Sequence, residues 1–567
     1  VAAIDTALPG PGACQKLVFD TMGAGRRVRP GFADAWIAAQ PPAGAEVVLS
    51  YRTAGASVQL LYPRDGNDCV YWLTPDEFSL GRLELQLIRD AMAHIRAGGT
   101  RDLRHSSLTH VRRFVEEEAT DFLRGNLAGG GPAGQASSVA SRLARVVARY
   151  TIGLGVLEHL LDDPHVTDVY SDAPCGAQPL YLSTNIPDAR VGDRLASNVT
   201  LVPAAVSALV TRARMESGRP FSQARPHLEH DLGEYGARLT VIGPPVSPDG
   251  VALAIRRHAR NPLTLVQLVA NGALSPMTAG LLSVMVEGQC SLLIGGARGA
   301  GKTTLLGALM LEMDAAKRII TIEDTMELPV SAMRAGGFRV QALRVRSSLG
   351  GEGEATADDA LKLSLRLGES AIVVGEVRGE EARTLYEAMR TGAASSAVMG
   401  TIHGSPAAAV CARAVHDLGV PAISFASTDA IVIAGLVRPE GARRQVRRVT
   451  EVAEVALRGG TLSTEDLLRD GGPERTPTEV TLLKSRVLAK VASSWGVPRA
   501  AVVEEVKARG ELKLRQLALA RALGRPALLE APASVAVNSR YARLRDEGMR
   551  GPALVQAVVD EVRRRWA

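Results

Sequence analysis

Aromatic side chains are scarce in this 567-residue chain, at 4% of the sequence, so its cores must be built from leucine, valine, isoleucine and alanine. Cysteines are few and scattered. Cys14, Cys69, Cys175, Cys290 and Cys411 never form a C-x-x-C pair, which argues against a zinc ribbon or a disulfide framework and for reduced thiols in a cytoplasm. No apolar run reaches the ~18 residues of a membrane-spanning helix; the longest, around Leu281–Ile294, is broken by Glu287, Gly288 and Gln289. Val1–Gly12 lacks the basic flank and apolar core of a signal peptide, so any membrane role is expected to be peripheral. A large excess of one charge is also lacking. A formal net charge of +6 permits contact with nucleic acid or anionic lipid without demanding either. No aromatic-rich basic stripe marks a nucleic-acid surface, and direct nucleic-acid binding is not expected.

Hydrophobic residues make up 46% of the chain, as in a folded globular protein, and the length implies about two to four domains. Residues 1–124 mix strand-like pieces (Glu46–Tyr51, Val58–Tyr62) with helix-like stretches (Leu80–Arg96, Ser107–Leu123) and read as an accessory region. Residues 125–140, with Gly129-Gly130-Gly131-Pro132 and Gln135-Ala136-Ser137-Ser138, read as a linker. From 141 to 260 a helix stopped by Pro164 and short alternating strands predict a small α+β domain. From 261 to 456 strand and helix alternate. Strands at Ser291–Ile294, Arg318–Ile322, Ala371–Val374, Val398–Thr401 and Ala430–Ile433 imply a parallel sheet with helices on both faces. Residues 457–567 read as a helical extension whose end, Arg563–Arg565, is a solvated helix terminus.

The chemistry concentrates in the alternating region. Gly296-Ala297-Arg298-Gly299-Ala300-Gly301-Lys302-Thr303 lies between the strand ending at Ile294 and a helix with apolar Leu305, Leu306, Leu309 and Met310. Glycines let backbone N–H groups turn inward around phosphates, a lysine reaches the β- and γ-oxygens, and a hydroxyl holds Mg²⁺. The next strand ends in Glu323-Asp324, which suits a carboxylate that orients water and equally an exposed loop acid. Ala371–Val374 runs into Gly375-Glu376, where a carboxylate would support Mg²⁺ or its water shell. His403 closes a fourth strand. A lone histidine is most often packed or solvent-facing, but here it shares the sheet edge with the other three.

With these four elements in order, the chain resembles the type II/type IV secretion and type IV pilus ATPase family. The family's Walker A loop, acidic box, Walker B strand and His box read here as GGARGAGKTT, ITIEDTMELP, AIVVGEVRG and TGAASSAVMGTIHG. LEHLLDDPHVTD (157–168) is similar to the entry of its N-terminal domain, and LRLGES, TIHG and LGVP look most like its archaeal branch. The resemblance spans about 150–456. It implies a RecA-like P-loop NTPase domain of α/β class behind a small α+β domain, in a homohexamer at the inner face of the cell membrane. It further implies ATP and Mg²⁺ as ligands and a polytopic membrane platform protein as partner. Carried over, Gly296–Gly301, Lys302, Thr303 and Thr304 would bind nucleotide, Thr303 and Glu376 would serve Mg²⁺, and Glu323, Glu376 and His403 would be catalytic. Arg238 and Arg256 match the family's arginines that reach the nucleotide from the N-terminal domain. The His box usually opens with Gly-His. Here it is Gly392-Ala393, so that first histidine is missing.

Overall fold

The computed structural model describes residues 27–64, 68–98, 108–127, 133–186, 188, 190–192, 194–257, 261–345, 355–368, 370–391, 397–439, 445–469 and 476–566. Val1–Gly12, Cys14 and the Gly129–Pro132 run lie outside the described residues. The chain divides into two units, Val1–Ala259 and Arg260–Ala567. Among the described residues, no helix is long and apolar enough to cross a membrane.

The first unit contains β1 (Arg27–Val28), β2 (Ala35–Ala38), β3 (Glu46–Thr53), β4 (Ala56–Tyr62), β5 (Val70–Pro75) and β6 (Val166–Ser171). It continues with β7 (Tyr181–Thr184), β8 (Leu195–Ser197), β9 (Val199–Leu201), β10 (His227–Leu232), β11 (Ala237–Ile242) and β12 (Ala252–Arg257). A small sheet runs β1-β2-β9, and a nine-stranded sheet runs β10-β11-β12-β6-β7-β8-β5-β4-β3. This corrects the expectation of a separate accessory region at 1–124. β5 pairs in parallel with β8, Val70 opposite Ala196, so the first strands extend the sheet of the α+β domain and share its core. The linker reading is corrected as well, because Ala133–Thr151 is one helix. Its Ala140, Leu143, Ala144 and Val147 pack against Leu87, Ile88 and Met92 of helix Arg82–Gly98 and Val115 and Leu123 of helix Leu108–Leu127. That buried stripe outweighs the polar residues at its start.

The second unit holds β13 (Leu292–Gly296), β14 (Arg318–Glu323), β15 (Arg339–Arg344), β16 (Ala371–Val374), β17 (Val398–His403), β18 (Ala430–Val437), β19 (Val446–Arg458) and β20 (Thr461–Arg469). They form one sheet, β15-β14-β16-β17-β13-β18-β19-β20. The first six are parallel, and β19 and β20 add an antiparallel hairpin. β13 and β16 are buried throughout, as strands covered on both faces must be. One core gathers Leu292, Ile294 and the helix Lys302–Met310, and another gathers Leu293, Ile431, Ile433 and Tyr386. This is the α/β P-loop architecture expected from the sequence. Thr461–Arg469 corrects the reading of a helix-like tail from 457 onward. Its leucines and acids suit a helix, yet pairing with β19 holds it extended.

The helices from Glu479 to Trp566 are docked on this unit rather than trailing from it. Helix Arg499–Ala522 crosses helix Pro276–Glu287 so closely that a β-carbon on Gly280 would sit 2.1 Å from the Val506 carbonyl oxygen. Beside the crossing, buried Lys513 pairs with Glu312 at 2.7 Å, and Arg509 binds Glu287 and Glu505. Glu312 follows the C-terminal end of helix Lys302–Met310, so the tail grips the core at the end of that helix opposite Gly301. Breaking such a pair from one side strands a buried charge. Lys513→Met is therefore expected to lower stability by about 3 kcal/mol or more, read as an earlier denaturation midpoint.

Candidate nucleotide site

Parallel register brings Gly296, Glu323, Glu376 and His403 to one edge of the second unit's sheet. Gly296 stands opposite His403, Val374 opposite Gly400, and Ile322 opposite Val374, so β13, β14, β16 and β17 end together. This is the carboxyl edge, where open α/β sheets place their ligands.

The loop leaving β13 turns on Gly296, Gly299 and Gly301, with φ of +151°, +78° and +94°. A β-carbon at Gly296 would lie 2.2 Å from the Ala434 carbonyl oxygen, so only glycine fits there. Gly301 starts the helix Lys302–Met310, whose N-terminus adds partial positive charge. Ala297, Arg298 and Gly299 are exposed, Ala300 is buried, Thr303 is half-buried and Thr304 is exposed. Lys302 is buried. Its Nζ donates to the carbonyls of Gly296 (3.1 Å) and Ala297 (3.0 Å) and to His403 Nδ1 (3.2 Å).

The acids differ sharply from one another. Glu323 is buried at the end of β14, where Oε1 accepts the backbone N–H groups of Glu327 and Leu328, both at 2.9 Å. Its other oxygen, Oε2, is buried with no hydrogen-bond partner among the described residues. Burial pushes its carboxyl up to about 7, against the pull of those two N–H donors. Glu376 is more open. Its Oε1 lies 2.9 Å from His403 Nε2, and its Oε2 lies 3.4 Å from Arg378 Nη1. Arg378 also pairs with Asp324. The lysine ammonium can only donate, so His403 accepts at Nδ1 and carries its proton on Nε2, pointing at Glu376. A continuous chain thus runs Lys302–His403–Glu376–Arg378–Asp324.

Gly375 lies against Glu323. A β-carbon there would fall 2.9 Å from Glu323 Cγ. Gly375→Ala should displace that carboxylate without unfolding the chain and, where Glu323 acts on a bound nucleotide, lower kcat by about tenfold or more, since small misplacements at a reacting centre are costly. A kcat near wild type, with the fold intact by melting, would show that Glu323 needs no such tight seat.

Arg238 and Arg256 belong to the first unit and face each other across β11 and β12. The row continues to Asp231 on β10 and Asp168 on β6. Arg238 forms an ion pair with Glu229, whereas Arg256 is exposed. Gly392-Ala393, the opening of the His box, lies outside the described residues. Two further residues of the site were missed by sequence reasoning. Arg378 could have been noticed two positions after Glu376, whereas Arg447, whose Nε donates to the Gly299 carbonyl at 2.9 Å, had no local signal.

The family model described as "Type II/IV secretion system protein" matches residues 194–488. A provisionally named conjugal transfer protein of Mycobacterium tuberculosis is 32% identical over 317 residues, 54% of this chain and 86% of its own. An uncharacterized protein of Methanocaldococcus jannaschii is 31% identical over 329 residues, 57% of this chain and 42% of its own. These two identities do not favour an archaeal over a bacterial branch. The conjugal transfer protein TrbB of Rhizobium radiobacter is 28% identical over 40% of this chain and 66% of its own. Among solved structures, the VirB11 ATPase of the Brucella suis type IV secretion system is similar at 22% identity and a TM-score of 0.26, over 53% of this chain and 92% of that one.

Proposed function

The chain belongs to the type II/IV secretion system protein family, and from that premise we propose that it is an ATP-hydrolysing ring motor acting on a membrane platform protein in pilus-like filament assembly or protein secretion. The observation that carries this reading is the shared sheet edge, where a glycine cradle with a buried lysine meets His403, Glu376 and the orphaned carboxylate of Glu323.

The residues suit ATP as substrate. The glycine turns leave room for phosphate oxygens against backbone N–H groups, with Lys302 supplying positive charge. Thr303 and Glu376 would hold Mg²⁺, which when bound neutralises charge on the phosphate oxygens. Glu323 would take the proton of the attacking water, because burial has raised its basicity and left Oε2 without a donor. His403 would keep Glu376 oriented through its Nε2 proton and report on charge beside Lys302. Arg238 and Arg256 would add positive charge during turnover, and each arginine-to-alanine change should lower kcat more than it weakens ATP binding.

Phosphate release from Mg²⁺ and ATP by the purified chain tests the activity, and specific activity rising with protein concentration to a plateau tests the ring. Glu376→Gln should impair turnover through metal placement, so added Mg²⁺ should restore part of it. Failure of excess Mg²⁺ to restore any would remove Glu376 from the metal site. A second reading, a motor for conjugative export, draws on the names of the Mycobacterium and Rhizobium relatives. Genes for a relaxase and coupling protein beside this one would favour it, and prepilin-like genes the first reading.

A further inference from the structure

A loop that binds phosphates through its amides works only if each peptide faces the right way. A trans peptide points its carbonyl opposite to its N–H, so a donor held outside the loop on a carbonyl fixes the neighbouring amide inward. Arg447 makes such a contact. Its Nε donates to the Gly299 carbonyl at 2.9 Å, and its Cδ lies 3.4 Å from where a β-carbon on Gly301 would be. The amide on the other side of that peptide belongs to Ala300, and it turns toward the Ala297 carbonyl within the loop. Gly299 and Gly301, with positive φ, are the loop's most freely rotating positions.

The arginine is itself well placed to do this. β19 runs antiparallel to β18, so its first residues lie at the sheet edge where the phosphate loop leaves β13. Farther along β19, Glu451 accepts the Ala407 N–H at 3.0 Å, and buried Glu454 accepts the N–H groups of Arg486 and Val487 at 3.0 and 2.9 Å. The strand is therefore pinned to the helix after His403 and to the first C-terminal helices, giving Arg447 a rigid base.

We propose that Arg447 is a positioning residue of the phosphate loop, its guanidinium holding the Gly299–Ala300 peptide, and with it the shape of the loop, from the hairpin strand β19. The proposal rests on the reading of this loop as a nucleotide site. Because the locked peptide belongs to the loop and not to the γ-phosphate position, its loss acts equally on ATP and ADP.

The test is equilibrium binding of fluorescent ADP and of a non-hydrolysable fluorescent ATP analogue to the full chain. Four proteins are compared: wild type, Arg447→Ala, Arg447→Lys and Lys302→Ala, with melting temperatures as a fold control. Arg447→Ala should weaken both nucleotides by the same factor, about tenfold, the worth of one hydrogen bond. Arg447→Lys, which keeps a donor and a charge on a different geometry, should recover part of the loss. Affinities within twofold of wild type in Arg447→Ala, with binding lost in Lys302→Ala, would overturn the proposal while leaving the nucleotide site standing. Weakening of the ATP analogue alone would also overturn it, because the arginine would then touch the γ-phosphate. A wild-type chain that binds neither nucleotide would overturn the site reading and the proposal together.

Discussion

Glu323→Gln is expected to bind ATP with near-normal affinity and to lose turnover by a hundredfold or more, on the order of what a positioned acid or base commonly contributes. The substitution keeps the shape of a side chain that is fully packed, with Oε1 accepting the Glu327 and Leu328 amides at 2.9 Å. It removes the group that can accept a proton at Oε2. The same carboxylate sets a pH signature. With its carboxyl pushed up to about 7, the ionised form grows as pH rises through neutrality, so wild-type kcat should climb across that range. The limb should vanish in the residual activity of Glu323→Gln. Stability moves the other way. Between the ordinary glutamate range and about 7 the folded chain holds a proton that the unfolded chain has released, so this group favours folding most at low pH and loses that advantage as pH rises. A tenfold difference in proton affinity between the folded and unfolded chain is worth about 1.4 kcal/mol, so Glu323→Gln should raise the melting temperature relative to wild type more at pH 8 than at pH 5. If Glu323→Gln turns over normally and Glu376→Gln does not, the two acids have exchanged roles.

Much of this site was legible because its signals are local. Four apolar residues, then a glycine and an acid, pointed to Glu376, and a glycine run between strand and helix pointed to Lys302. What could not be read were contacts between distant segments. Arg447 meets Gly299 across 148 positions, and nothing near either residue announces the other. The same holds for β5 and β8, whose pairing merges an apparent accessory region into the neighbouring domain. Composition misled where tertiary context outweighed it. Ala133 to Ser138 look like linker but begin a helix whose later alanines, leucine and valine are buried, and Thr461–Arg469 carries helix-forming residues on a sheet edge. The tail's attachment was hidden for another reason. Lys513 and Glu312, or Arg509 and Glu287, look like ordinary surface charges until the chain folds them together. One strand then connects these regions, since β19 carries Arg447 at the loop and Glu454 at the start of the C-terminal helices.

Lys302→Ala should abolish hydrolysis, with a fall of about a thousandfold or more, the upper range for losing one preorganised charge at a reacting centre. The side chain is buried and donates to the Gly296 and Ala297 carbonyls and to His403 Nδ1. Two consequences follow from its loss. The phosphates lose the buried charge at the foot of the loop, at a place where low exposure makes that charge count for more than it would in water. His403 also loses the donor that fixes its tautomer, so the Nε2 proton aimed at Glu376 is no longer enforced. Affinity for ATP and ADP should therefore fall together with turnover, unlike in Glu323→Gln, where affinity stays and turnover goes. Lys302→Arg is a sharper probe of the same idea. It keeps the charge, but a planar guanidinium cannot match the three donor directions of an ammonium in this pocket, so it should rescue little. Phosphate release and nucleotide titration on the three variants separate the roles: wild-type-like hydrolysis in Lys302→Ala would place the working site away from this loop, whatever the other residues do.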